Sequence, residues 1–173
     1  NVTKIGSGAW TLTGDSAANM LGTLTILNGS VNLDQATGAV GFGTTNLGEG
    51  GVLNLNSASN AANNRLGGTT TPLSSTANRV LNLRGGVLNY QGSSSGAVAE
   101  TLNTVTNVAG QSQWNLTQNS GNQTRINLGT MTAQSGTNHG SLILNAGATG
   151  TLGGGAAGAN RVNVIAATPT LVG

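Results

Sequence analysis

The stretch RVLNLRGGVLNYQ, Arg79 to Gln91, decides how this chain is read. Val80-Leu81-Asn82-Leu83 and Val87-Leu88-Asn89-Tyr90 each alternate as strands do, and Gly85-Gly86 between them reads as a sharp corner. Successive strand side chains point to opposite sides, so the apolar residues of an apolar-Asn-apolar triplet share one face while Asn takes the other. The triplet recurs as Val31-Asn32-Leu33, Leu53-Asn54-Leu55, Leu81-Asn82-Leu83, Leu88-Asn89-Tyr90, Trp114-Asn115-Leu116, Ile126-Asn127-Leu128 and Val162-Asn163-Val164. Stacked strand on strand, such asparagines would form hydrogen-bonded ladders that hold the register.

The composition supports a thin core. Among 173 residues there are 29 glycines and no cysteine, with 6% charged and 2% aromatic residues, against roughly 25% charged in an average domain. Disordered segments combine low hydrophobicity with high charge, whereas this chain alternates regularly and has a mean hydropathy of -0.02. The length suits a single domain, residues 1–173, with a core of Val, Leu and Ile.

The isoelectric point near 10.0 does not make this a basic protein, because the net charge is only +2. Lys4, Arg65, Arg79, Arg84, Arg125 and Arg161 are scattered and lack interleaved aromatics, which argues against nucleic-acid binding. Without cysteine there are no disulfides and no thiolate metal site, which suits export in an unfolded state. No apolar span of about 20 residues is present, so this segment is not expected to insert into a membrane. The chain opens on Asn1 without Met and is expected to be a processed or excised piece of a longer protein.

Toward the N-terminus, Ala9 to Thr13, Leu21 to Leu27 and Ser30 to Asp34 read as strands. Asn28-Gly29 is either a hairpin turn or the corner of a coil. The blocks Lys4-Ile5-Gly6-Ser7-Gly8-Ala9-Trp10-Thr11-Leu12-Thr13-Gly14 and Gly22-Thr23-Leu24-Thr25-Ile26-Leu27-Asn28-Gly29-Ser30-Val31-Asn32-Leu33 resemble the autotransporter-associated β-strand repeat. Asn78 to Gln91 and Gly153 to Gly173 resemble, more loosely, the downstream parts of such proteins. The resemblance implies a right-handed parallel β-helix outside the cell, with no catalytic residues to carry over.

Further along, residues 57–78 are polar and small and read as a lateral loop excursion, the place to look for a contact surface. From Glu100 to Val108 a strand is expected with Leu102, Thr104, Thr106 and Val108 on one face and Asn103, Val105 and Asn107 on the other. More strands follow at 112–117, 124–128, 141–145 and 161–166. Helix signals are confined to one short turn at Ser16 to Leu21. The expected fold is all-β, a right-handed parallel β-helix or β-solenoid, with a β-sandwich as the runner-up. Coils of about 20 to 25 residues predict roughly seven or eight layers and a rod of some 35 Å.

Ionisable groups for catalysis are few. Asp15 and Asp34 could form a carboxylate pair on adjacent coils, but isolated turn residues are the simpler reading. His139, beside Gly140, reads as a turn residue too. The run Gly153 to Gly158 has no Lys-Ser or Lys-Thr after it and does not make a phosphate loop. No metal or other cofactor is expected. Sequons begin at Asn1, Asn28, Asn115 and Asn122, and matter only if the source glycosylates. Lys4, the single lysine, reads as an exposed charge at a strand end. Trp10 and Trp114 are candidates for stacking on a sugar face, with packing inside the rod as the simpler role.

These features lead to an expectation of a non-enzymatic structural block in an extracellular or bacterial cell-surface fibre, sheath or matrix. Its partners would be other copies of itself, joined through the uncapped edges at Asn1, Val2, Thr3, Leu171 and Val172. The alternative is an adhesin rod that binds surface glycans or host ligands through its loops, followed by a polysaccharide-degrading β-helix enzyme.

Overall fold

A computed structural model describes residues 1–14, 22–34, 41–66, 79–133, 140–147, 151–153 and 159–164. The expectations placed on Asp15, His139, Leu171, Val172 and the segment 67–78 lie outside the described residues. Eleven strands form one curled sheet: β1 (Val2–Lys4), β2 (Ala9–Leu12), β3 (Thr23–Leu33), β4 (Thr44–Asn56), β5 (Val80–Arg84), β6 (Val87–Gln91), β7 (Val98–Asn107), β8 (Gln111–Thr117), β9 (Thr124–Ala133), β10 (Ser141–Asn145) and β11 (Arg161–Val164). Every strand pairing is parallel, which rules out the antiparallel sandwich and identifies a β-solenoid.

Three faces stack along the rod. The first runs from β1 through the N-terminal halves of β3 and β4 to β5 and then to the C-terminal halves of β7 and β9. The second runs from β2 through the C-terminal halves of β3 and β4 to β6, β8 and β10. The N-terminal halves of β7 and β9 and then β11 make the third. Val2, Leu24, Thr45, Leu81, Val105 and Met131 occupy one column of the first face, six layers among the described residues instead of the seven or eight expected. Within this column the step from Thr45 to Leu81 is the longest because it holds the segment after Asn56.

Core and ladders follow from the triplets. Leu53, Leu55, Leu81, Leu83, Leu88, Tyr90, Leu116, Ile126 and Leu128 are buried, and the asparagines between them point outward. On the second face Asn54 donates to Asn32 at 2.6 Å, Asn89 to Asn54 at 2.7 Å, Asn115 to Asn89 at 2.7 Å and Asn145 to Asn115 at 2.9 Å. A second ladder joins Asn82 to Asn46 at 2.8 Å, and a third joins Asn163 to Asn127 at 3.0 Å. The triplets are irregularly spaced in sequence because they belong to three interleaved columns. Replacing Asn89 by Ala removes two rungs and strands the amide groups of Asn54 and Asn115, an expected loss of about 1–3 kcal/mol. Asn145→Ala at the end removes one bond to Asn115 and should cost about 0.5–1.5 kcal/mol; urea unfolding compares the two.

Corners between the first and second faces are glycine columns. Gly29 has φ 72° inside β3, so Asn28-Gly29 makes a coil corner and no hairpin. A Cβ on Gly29 would sit 2.5 Å from the Gly8 carbonyl oxygen and 2.7 Å from Lys4 Nζ. Gly29→Ala is therefore expected to destabilise by more than about 1 kcal/mol, seen as a lower urea midpoint. A corner also changes the expected pattern of β7: Leu102 and Val105 are both buried, at an odd spacing that no flat strand allows. The chain turns from the third face to the first between them, which reverses the alternation.

Candidate functional site: two open ends and a buried ion cluster

The large apolar side chains that stay exposed are unevenly distributed. Among the described residues they are Val2, Ile5, Trp10 and Leu27 in the first two layers and Ile143, Leu144 and Leu152 in the last. The described residues of the intervening layers carry none. At the N-terminal end Val2, Trp10, Leu12, Leu24 and Phe42 line an apolar concavity of about 420 Å³, which is the unroofed end of the core. Trp10 continues the inward column of Val31, Leu53, Leu88, Trp114 and Leu144, yet is 40% exposed because no layer of the described residues lies above it.

Beside Trp10 the structure overturns the reading of Lys4 as an exposed charge. Its register partner is Ile26, so the side chain points inward, and it is only 1% exposed. The ammonium donates to the carbonyl oxygens of Ile5, Gly6 and Asn28, and lies 5.5 Å from the centre of the Trp10 ring. Carbonyl dipoles and the ring face together replace the water that a buried cation loses. The N-terminal end thus presents an apolar surface beside a lysine whose ammonium is already coordinated.

Trp114 needs a correction as a glycan-stacking candidate. It is 0% exposed, within the column between Leu88 and Leu144, and its ring is not available to a sugar. Asn1 and Thr3 lie on the exposed first layer with Val2; the Asn1 side chain accepts from the Thr23 amide at 2.9 Å.

The excursion also behaves differently from the expected lateral loop over its described part. Ser57, Asn64, Arg65 and Leu66 are buried. Residues 63–66 lie along the N-terminal half of β7 and complete the third face with side chains in place of a strand. Asn63 Oδ1 accepts from the Ala99 amide at 2.7 Å and Asn64 Oδ1 from the Thr101 amide at 2.9 Å, while the Asn64 amide donates to the Ala99 carbonyl at 2.9 Å. Asn64 adopts φ 53°, a conformation that Asn tolerates better than most residues.

Between those rungs sits Glu100, fully buried, an acid that points inward where its neighbours on the same face are Val98 and Leu102. One carboxylate oxygen accepts from the Arg65 amide at 2.7 Å and the other from the Leu66 amide at 3.2 Å. The Arg65 guanidinium donates through Nε to Ser57 Oγ at 2.9 Å. Burial pushes Glu100 up to about 8, against the two amide bonds and the charges of Arg65 and Arg79, which pull it down. Desolvation likewise lowers Arg79, partly offset by Glu100, and raises Tyr90 well above its ordinary value. Glu100 inside an apolar alternation was the available signal in sequence; its partners were not legible, because Arg65 lies 35 residues away.

This cluster is sealed in the rod and offers no cleft to a substrate. Asp34 accepts from Asn56 at 3.1 Å and borders a polar groove of about 270 Å³ along the second face, with Asn32, Asn54 and Asn89. Among the described residues no group of three or more His, Cys, Asp or Glu is placed to hold a metal. Comparison with family models, with curated proteins and with solved structures gave no match.

Proposed function

We propose that this chain is a non-enzymatic structural building block of an extracellular bacterial surface fibre, sheath or matrix, extended by stacking copies end to end. One observation carries the reading: the exposed large apolar residues are confined, among the described residues, to the two ends of the rod. Each end is the cross-section of a core, and its strand edge offers backbone groups to another chain. Covering it removes Val2, Trp10 and Leu144 from water at roughly 25 cal/mol per Å² of apolar area. A net charge of +2 opposes self-association only weakly. The contact joins unlike surfaces, so it produces an open polymer and not a closed ring of fixed size. Resemblance to surface-protein repeats and the lack of cysteine support the extracellular setting.

Negative-stain electron microscopy over a concentration series, beside light scattering, tests this. Filaments of uniform width that lengthen with concentration are expected from the purified chain. Discrete short rods at every concentration would overturn assembly by copies, and would assign the open ends to a contiguous coil of a longer polypeptide or to a different capping partner.

A further inference from the structure

Ladder hydrogen bonds give the rod a chemical direction. In the outward column of the second face, Asn32 donates to Thr11 at 3.2 Å, and Asn54, Asn89, Asn115 and Asn145 each donate to the layer on their N-terminal side. The first face repeats this polarity: Asn46 donates to Thr25 at 3.2 Å, Asn82 to Asn46 at 2.8 Å and Thr132 to Thr106 at 3.4 Å. Such a column ends in unlike groups. At the C-terminal end Asn145 Oδ1 accepts no bond from the described residues, and at the N-terminal end Thr11 uses its oxygen as an acceptor while its hydroxyl proton is left to give.

We propose that a second copy docks head to tail with its β2 in register on β10, Thr11 on Asn145 and Trp10 on Leu144, so that the ladder crosses the junction unbroken. This rests on the end-to-end assembly proposed above and specifies its partner face, polarity and register. Two independent columns meet in the same step. Outward, the Thr11 hydroxyl donates to Asn145 Oδ1, as each rung within the rod donates toward its own N-terminal side. Inward, the Trp10 ring, 40% exposed, closes on Leu144, 38% exposed. Lys4 brings no unpaired ammonium into the junction, because its three carbonyls hold it. A slip of one residue would turn Trp10 outward. A slip of two would place Thr11 on Ile143, an apolar side chain that cannot accept its proton.

Because the chain has no cysteine, engineered thiols report the register directly. Residues paired across parallel strands lie about 4.8 Å apart, within the Cα separation a disulfide spans. Within one molecule Thr11 and Asn145 are at opposite ends, so a bond between them joins two molecules. Under mild oxidation the double variant T11C/N145C is expected to give a reducible ladder of dimers and higher multimers on non-reducing gels. The slipped pair T11C/I143C is expected to give only traces, and T11C alone no head-to-head dimer. Wild-type filaments together with a ladder from the slipped pair, or with dimers from T11C alone, would overturn the register or the polarity while leaving end-to-end assembly standing. Absence of both filaments and cross-links overturns both. Should the cysteine variants misfold by circular dichroism, charge complementation gives the answer. W10K and L144E should each fail to polymerise, and the double variant W10K/L144E should polymerise again, because every head-to-tail junction then brings its opposite charges together. Failure of the folded double variant to polymerise counts against the register.

Discussion

Glu100→Ala is expected to lower the unfolding free energy by about 2–6 kcal/mol, because it leaves the buried Arg65 and Leu66 amides without the acceptors that hold residues 63–66 against β7. A loss of that size is a large share of the roughly 5–15 kcal/mol that stabilises an ordinary domain. The pH dependence separates the ionic contribution from packing. In the folded rod Glu100 titrates at about 8, against an ordinary value of 4.5. Between those values the folded chain retains a proton that the unfolded chain releases. The stabilisation is therefore complete below the ordinary value and is lost as pH rises toward 8, with a limiting slope of about 1.4 kcal/mol per pH unit. Glu100→Gln retains one acceptor and cannot titrate, so its stability should be flat across the same window. Urea unfolding at a series of pH values, followed by circular dichroism, measures both. An equal slope in the wild type and the Gln variant would remove Glu100 as its source. These measurements belong in a W10K background, where assembly does not add to the apparent stability.

Trp114→Ala is expected to cost a comparable 3–5 kcal/mol or so, for a different reason. Its ring is the largest fully buried side chain and fills the column between Leu88 and Leu144. Cutting it to a methyl leaves a void that a solenoid can close only by moving whole layers, which the ladder on the other side of the same strand resists. Because Trp114 Nε1 has no hydrogen-bond partner among the described residues, Trp114→Phe forfeits no bond there and should cost less than about 1.5 kcal/mol. A Phe variant as damaged as the Ala variant would show that the indole nitrogen is engaged. Trp10→Ala offers the contrast: that ring is partly exposed, so its removal should cost a monomeric rod less than Trp114→Ala, about 0.5–2 kcal/mol from the lost Lys4 contact, while weakening assembly.

Alternation and glycine placement determined by themselves that the chain is all-β, that the apolar-Asn-apolar triplets bury their apolar members, and that the asparagines form ladders. These are properties of a strand with a period of two and of stacked like residues, and they are local. Tertiary structure alone decided which triplets share a ladder, because adjacent rungs are separated by 22, 35, 26 and 30 residues and only the folded coil lengths set those intervals. The same holds for Lys4, Trp10 and Trp114. A corner's carbonyls draw the lysine inward, while two tryptophans in one inward column differ in exposure because one has a layer on each side and the other lies at the end of the stack. Where a layer stands in the rod, and so whether its apolar face is core or contact surface, is a long-range fact that no local pattern encodes.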